Sequence, residues 1–145
     1  MKVLIATHDK FNDYDELRDA VELSGFDIDE IICPGEGYVF GLCKRLCEEN
    51  EYPMTSFKID WNKITDIPDG YIDVKTNKRG KYNRLAGKYN SYKLVANSDS
   101  LVYIGSATNK DNAFYLSLAM NKEKGKENVY SHKPHIKETS YWYIF

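Results

Sequence analysis

Three short runs, Val3-Leu4-Ile5-Ala6, Asp29-Glu30-Ile31-Ile32-Cys33 and Met54-Thr55-Ser56-Phe57-Lys58-Ile59, recur along the first part of this chain with room for one helix between each pair. Runs of that length fit buried strands, and strands connected through helices pair in parallel by right-handed crossovers. The intervening segments carry the matching helical period. Asn12 or Asp13 can cap a first helix whose Tyr14, Leu17, Ala20 and Val21 share a face, with Leu23 to its side. Ser24 interrupts that face, and Gly25 ends the helix. A second helix, from about Tyr38 to Asn50, places Val39, Phe40, Cys43, Leu46 and Cys47 together.

The alternation returns later with a helix from about Lys88 to Asn97 and a strand, Ser100-Leu101-Val102-Tyr103-Ile104. A helix capped by Asp111 and running through Met120 follows, then a fifth strand at Asn128-Val129-Tyr130. Residues 62–85 break the pattern. Asp66-Ile67-Pro68-Asp69-Gly70 is a turn signal and Tyr71-Ile72-Asp73-Val74-Lys75 alternates, which predicts an inserted loop or exposed hairpin. Its Lys75, Lys78, Arg79, Lys81 and Arg84 could contact phosphates or an acidic partner, although a solvated basic face is the simpler reading. The aromatic tail at 133–145 ends on Tyr141-Trp142-Tyr143-Ile144-Phe145, which is expected to pack on its own domain or on a second copy, so a homo-oligomer is expected.

At 145 residues the chain reads as one domain able to bury a core without disulfides or metal. The absence of any run of roughly 20 apolar residues predicts no membrane span, and Met1 to Ala6 meets His8-Asp9-Lys10 too soon for a signal peptide. A cytoplasmic protein is expected. An odd count of cysteines, Cys33, Cys43 and Cys47, fits a reducing compartment; Cys43 and Cys47 share an apolar helix face, so they read as core rather than metal ligands. A net charge of −2 supplies no whole-molecule field for nucleic acid phosphates and leaves only a local basic patch open. No metal and no cofactor is expected.

In an open parallel sheet, ligands bind beyond the carboxyl ends of the strands, where strand order reverses. Three loops fall there: Thr7-His8-Asp9, Pro34-Gly35-Glu36-Gly37 and Gly105-Ser106-Ala107-Thr108. Glycine in the last two allows close backbone approach, and the N–H groups of a following helix favour an anion. Gly35-x-Gly37 lacks the third glycine of a dinucleotide fingerprint and the lysine of a P-loop, so a plain tight turn explains it equally well. Ser106 and Thr108 could instead cap the last helix. His8 is a candidate base or contact.

The order of these features resembles the SLOG superfamily of Rossmann-like nucleotide-binding proteins, and within it the YspA-like branch, over roughly residues 1 to 130. The matching stretches are Phe11-Asn12-Asp13 after strand 1, Asp60-Trp61-Asn62-Lys63 after strand 3, and Ala86-Gly87-Lys88-Tyr89-Asn90-Ser91-Tyr92-Lys93-Leu94 at a helix start. Ala96 to Val102 continues in register. The pocket motifs depart from the family: Thr7-His8-Asp9 stands for Gly-Ser-Arg, Cys33-Pro34-Gly35-Glu36 for Ser-Gly-Gly-Ala, Asn90-Ser91 for Arg-Asn, and Phe40 replaces an acid. The glycosidase sequence Gly-Gly-x-Gly-Thr-x-x-Glu is absent.

The resemblance implies an α/β fold, a Rossmann-like three-layer sandwich with a mostly parallel five-stranded sheet, and a nucleotide-derived ligand. Non-catalytic binding is the leading expectation, in the manner of a phage-type sponge for an ADP-ribose-like signal such as a cyclic ADP-ribose isomer. Asn90, Ser91, Ser106 and Thr108 would then hydrogen-bond phosphate or ribose, the N–H groups from Gly35 to Gly37 would hold phosphate, and Tyr89 or Trp61 would stack on a base. The alternatives are a nucleotide N-glycosidase using Glu36 or Asp9, and a protein-interaction module acting through the insertion and the tail.

Overall fold

A computed structural model of the chain describes residues 1–134. The aromatic segment Tyr141 to Phe145 lies outside the described residues. Five strands, β1 (Lys2–Thr7), β2 (Glu30–Pro34), β3 (Met54–Phe57), β6 (Ser100–Ile104) and β7 (Val129–His132), form one sheet in the order β3-β2-β1-β6-β7. All four pairings are parallel. The strands are joined by helices α1 (Tyr14–Ser24), α2 (Gly37–Asn50), α3 (Ala86–Ala96) and α4 (Asn112–Lys124).

The period of two along each strand divides the core between two layers. Val3, Ile5, Ile31, Cys33, Val102 and Ile104 pack with α1 and α2, whereas Leu4, Ala6, Ile32, Leu101 and Tyr103 pack with α3 and α4. The result is a three-layer α/β sandwich of Rossmann-like form. Val3, Leu4 and Ile5 are completely buried. Burying each such side chain favours folding by about 1.5–3 kcal/mol, a large share of the roughly 5–15 kcal/mol net stability of a domain.

Capping resolves the two helix starts that the sequence marked. Asp13, not Asn12, caps α1, its Oδ1 accepting from the Glu16 N–H at 3.2 Å, and Gly25 ends that helix in the left-handed region at φ +70°. Asp111 caps α4 by accepting from the Phe114 N–H at 3.1 Å. β3 stops at Phe57 rather than Ile59. β2, its single neighbour, ends at Pro34 and gives way to α2, so nothing remains for Lys58 and Ile59 to pair with. The fifth strand begins at Val129 and reaches His132, because its register follows β6 from Leu101 to Ile104.

The insertion contains an antiparallel hairpin, β4 (Val74–Asn77) and β5 (Gly80–Asn83), turning through Lys78 and Arg79. Asn83, fully buried, fastens it: Oδ1 accepts from the N–H groups of Asp73 and Leu85 at 2.9 and 3.0 Å, Nδ2 donates to the Tyr71 carbonyl at 2.9 Å, and its own N–H donates to the Trp61 carbonyl at 2.8 Å. Among the described residues no helix is long and apolar enough to cross a membrane.

On the opposite layer, Tyr14 of α1 donates its hydroxyl to Glu49 of α2 at 2.6 Å, while the Arg45 guanidinium stacks 3.9 Å from its ring centroid. Burial, reinforced by the Glu49 bond, pushes the Tyr14 phenol up from 10 to about 12. A folded-state value above the unfolded one means that the native chain holds this proton more tightly. Stability from this contact should therefore be intact below pH 10 and lost as pH rises toward 12. Urea unfolding across that window should show the decline, and Tyr14→Phe should flatten it.

Candidate functional site

The order β3-β2-β1-β6-β7 reverses direction beside β1, and the strand ends there frame a cavity of about 390 Å³. That volume lies within the range of about 300–1,000 Å³ usual for small-molecule sites. Ala6, Thr7, His8 and Asp9 reach it from the end of β1, and Pro34, Glu36, Gly37, Tyr38 and Val39 from the end of β2 and the first turn of α2. Asn90 and Leu94 of α3, with Asn112, Ala113 and Leu116 of α4, form the far wall.

The two helix starts differ in how their N–H groups are served. At α4 the Asp111 carboxylate already fills the position an anion would take, with Oδ2 accepting from the Asp9 N–H at 3.1 Å as well. At α2 the cap residue Glu36 is extended and makes no side-chain cap bond. The first-turn N–H groups of α2, where the helix dipole is positive, therefore lack a side-chain acceptor among the described residues and suit one anionic or acceptor group. Gly37 opens this turn at φ +78°, a conformation that costs other residues roughly 1–2 kcal/mol.

Asn90 supplies the most unusual feature. Its Nδ2 donates to the Phe57 carbonyl at 2.8 Å, which fixes the amide orientation, while Oδ1 is buried with no partner among the described residues. The residue is 5% exposed. A buried acceptor left unpaired costs about 1–3 kcal/mol, and native structures tolerate few of them.

The lining charge is negative: among the described residues it holds Asp9 and Glu36, and neither lysine nor arginine. Carboxylates and the Asn90 carbonyl accept hydrogen bonds from hydroxyls and amines, and only the α2 turn is arranged for a phosphate oxygen. Ile59, Leu94 and Leu116 add apolar wall. The cavity therefore fits a ligand that presents several donors, one acidic group and an apolar face.

Of the residues selected by sequence, this cavity gathers Thr7, His8, Asp9, Glu36, Gly37 and Asn90. Gly35 sits just behind it, where a Cβ would stand 3.0 Å from the Lys58 backbone nitrogen, and its N–H is committed to the Phe57 carbonyl at 3.0 Å. Ser91 turns to a separate groove of about 540 Å³ between α3 and α4, donating to Asn112 Oδ1 at 3.3 Å. Tyr89 joins an aromatic cluster, stacked at 6.4 Å on Tyr92. One helical step is about 100°, so Tyr89, Asn90 and Ser91 cannot share a face.

The loop after β6 also looks elsewhere. Gly105 donates to the His132 carbonyl at 3.0 Å and leaves room for Tyr103, whose hydroxyl a Cβ would strike. Ser106 Oγ lies 2.7 Å from Thr108 Oγ1 and 3.0 Å from Asn109 Oδ1, so the loop satisfies its own polar groups. Trp61 stands over the insertion, outside the cavity. Tyr38, Ile59, Asn112 and Ala113 were not singled out by sequence; the first turn that follows the Asp111 cap was the available signal for the last two.

Among the described residues no group of three or more His, Cys, Asp or Glu is placed to hold a metal ion. The Cys33 contact and burial push the Cys43 thiol well above its usual range, and burial pushes Cys47 to about 11. These thiols belong to the core.

The fold and cavity together define a Rossmann-like α/β protein with a ligand-sized opening at the carboxyl edge of its sheet. No protein-family model matches the chain, and neither a curated protein nor a solved structure does.

The two buried asparagines make a paired test. Asn83→Leu removes three satisfied side-chain bonds and should lower the unfolding free energy by about 2–4 kcal/mol. Asn90→Leu removes one bond and one unpaired acceptor, and the Phe57 carbonyl keeps the Gly35 donor. Its unfolding free energy should stay within about 1 kcal/mol of the parent. Urea titrations of the three proteins compare them directly.

Proposed function

We propose that this chain binds a nucleotide-derived small molecule in the carboxyl-edge cavity and holds it without turnover. Asn90 carries this reading: it lines the cavity, its Oδ1 is buried without a partner among the described residues, and a ribose hydroxyl or an exocyclic amine is the kind of donor that atom lacks. The uncapped first turn of α2 would receive a phosphate oxygen across the cavity, and Ile59 and Leu94 would pack on base or sugar carbon. Sequestration of an ADP-ribose-like signal, a cyclic ADP-ribose isomer among them, is the biological role we attach to it, resting on the sequence resemblance.

Holding rather than cutting is favoured by the two carboxylates. Asp9 and Glu36 are both exposed at the lip, whereas a carboxyl that protonates a leaving group usually works from an apolar, buried position. Glu36 beside the α2 turn also opposes a phosphate, so it tunes affinity downward.

Thermal shift with nucleosides, nucleoside phosphates and cyclic ADP-ribose isomers should reveal stabilisation, about 2.7 kcal/mol at a hundredfold excess over Kd. Heat-released ligand should have an unchanged mass. Glu36→Gln should tighten a phosphate-bearing ligand a few-fold, and Asn90→Leu should weaken it by about tenfold. A panel without any binder sinks the reading; turnover that Glu36→Gln abolishes would replace it with the glycosidase alternative.

A further inference from the structure

The insertion is net positive in a molecule that is otherwise net negative. Residues 62–85 hold six lysines and arginines against three aspartates, a net +3 in a chain of net −2. Asp73 neutralises part of it, with Arg84 Nε at 2.6 Å and Lys75 Nζ at 3.8 Å. Lys78, Arg79 and Lys81, at and beside the hairpin turn, have no ion-pair partner among the described residues.

Charge alone describes a solvated face, and aromatic side chains change that reading. Trp61 and Tyr82 line a recess of about 630 Å³ with Arg79, Lys81, Asn62 and Asn77. An ideal Cβ on Gly87 would stand 3.9 Å from the Trp61 ring, so the indole rests on the start of α3 while the residue stays 48% exposed. The recess is also held in place: the Asn83 N–H donates to the Trp61 carbonyl, and Asn77 Oδ1 accepts from the Arg79 N–H at 2.8 Å, shaping the turn. Fixed aromatic surface beside unpaired cations is the combination that retains unstacked bases and their backbone phosphates. Duplex nucleic acid shields its base faces, and an acidic peptide has none to offer.

We propose that the hairpin recess, distinct from the carboxyl-edge cavity, is a binding site for single-stranded nucleic acid. Trp61 stacks on a base, Tyr82 flanks it, Lys78, Arg79 and Lys81 contact consecutive phosphates, and the two amides face base edges. Three phosphate contacts correspond to a log–log salt slope of about −2.

Fluorescence anisotropy of the full chain tests this with labelled single-stranded DNA and RNA of about 12 nucleotides, the matching duplex, and labelled polyglutamate. Single strands should bind with that salt slope, and the DNA and RNA arms identify the preferred backbone. Arg79→Ala with Lys81→Ala should weaken binding at least about tenfold, and Trp61→Ala roughly fivefold or more, with Trp61→Phe retaining most of it. Lys75→Ala, whose amine is already paired, should stay within about twofold. The proposal is overturned by no single-strand binding at micromolar protein, by duplex or polyglutamate binding equally well, or by Trp61→Ala within twofold of the parent.

Discussion

β1 is the constraint on which the remaining structure depends. It hydrogen-bonds β2 on one edge and β6 on the other, and its central side chains are buried on both faces, so it can be satisfied only inside a sheet with helices above and below. The chain leaves β1 toward β2 and β3, then must return past it to lay down β6 and β7. That return places α3 and α4 on the face opposite α1 and α2. It also leaves a gap above the ends of β1 and β2 that none of the described helices fills. The cavity is a consequence of topology before it is a consequence of any particular residue.

Residues then decide what the gap can hold, and the Phe57 carbonyl is where several of them meet. It accepts from Gly35 and from Asn90, joining the turn after β2, the end of β3 and α3 through one oxygen. Gly35 is needed because a side chain would press on Lys58, and the same tight turn delivers Gly37 and the uncapped start of α2 to the cavity. Asn90 is held by the same carbonyl with its acceptor unpaired. Were stability the sole demand, an apolar side chain would serve this position at least as well; Asn83, whose side chain makes three hydrogen bonds, is the contrast.

The sheet was legible because its signals are local: short apolar runs, helical period, a cap at Asp13 and another at Asp111 all act within a few residues. Where β3 ends was not, since Lys58 and Ile59 have adequate strand character and lack only a neighbour. The same division runs through the site. Thr7 to Asp9 and Glu36 to Gly37 follow from strand order alone, whereas Asn90 and Ser91 part company by a rotation of about 100° that is invisible until the helix is docked. The loop after β6 had fitting composition and still looks away, because Ser106, Thr108 and Asn109 find acceptors and donors in one another.

Charge separates the cavity from the insertion. Asp9 and Glu36 give the cavity a negative lip, and Lys78, Arg79 and Lys81 sit at the hairpin, whose base Asn83 fastens. Ile59 of the cavity and Trp61 of the recess lie two residues apart, yet none of the hairpin's lysines and arginines lines the cavity. A phosphate bound as proposed would rely on the α2 turn against the two carboxylates of the lining. Such a site would discriminate by hydrogen-bond geometry rather than by attraction to charge, which is what the proposed recognition of one small molecule among many anionic ones would require.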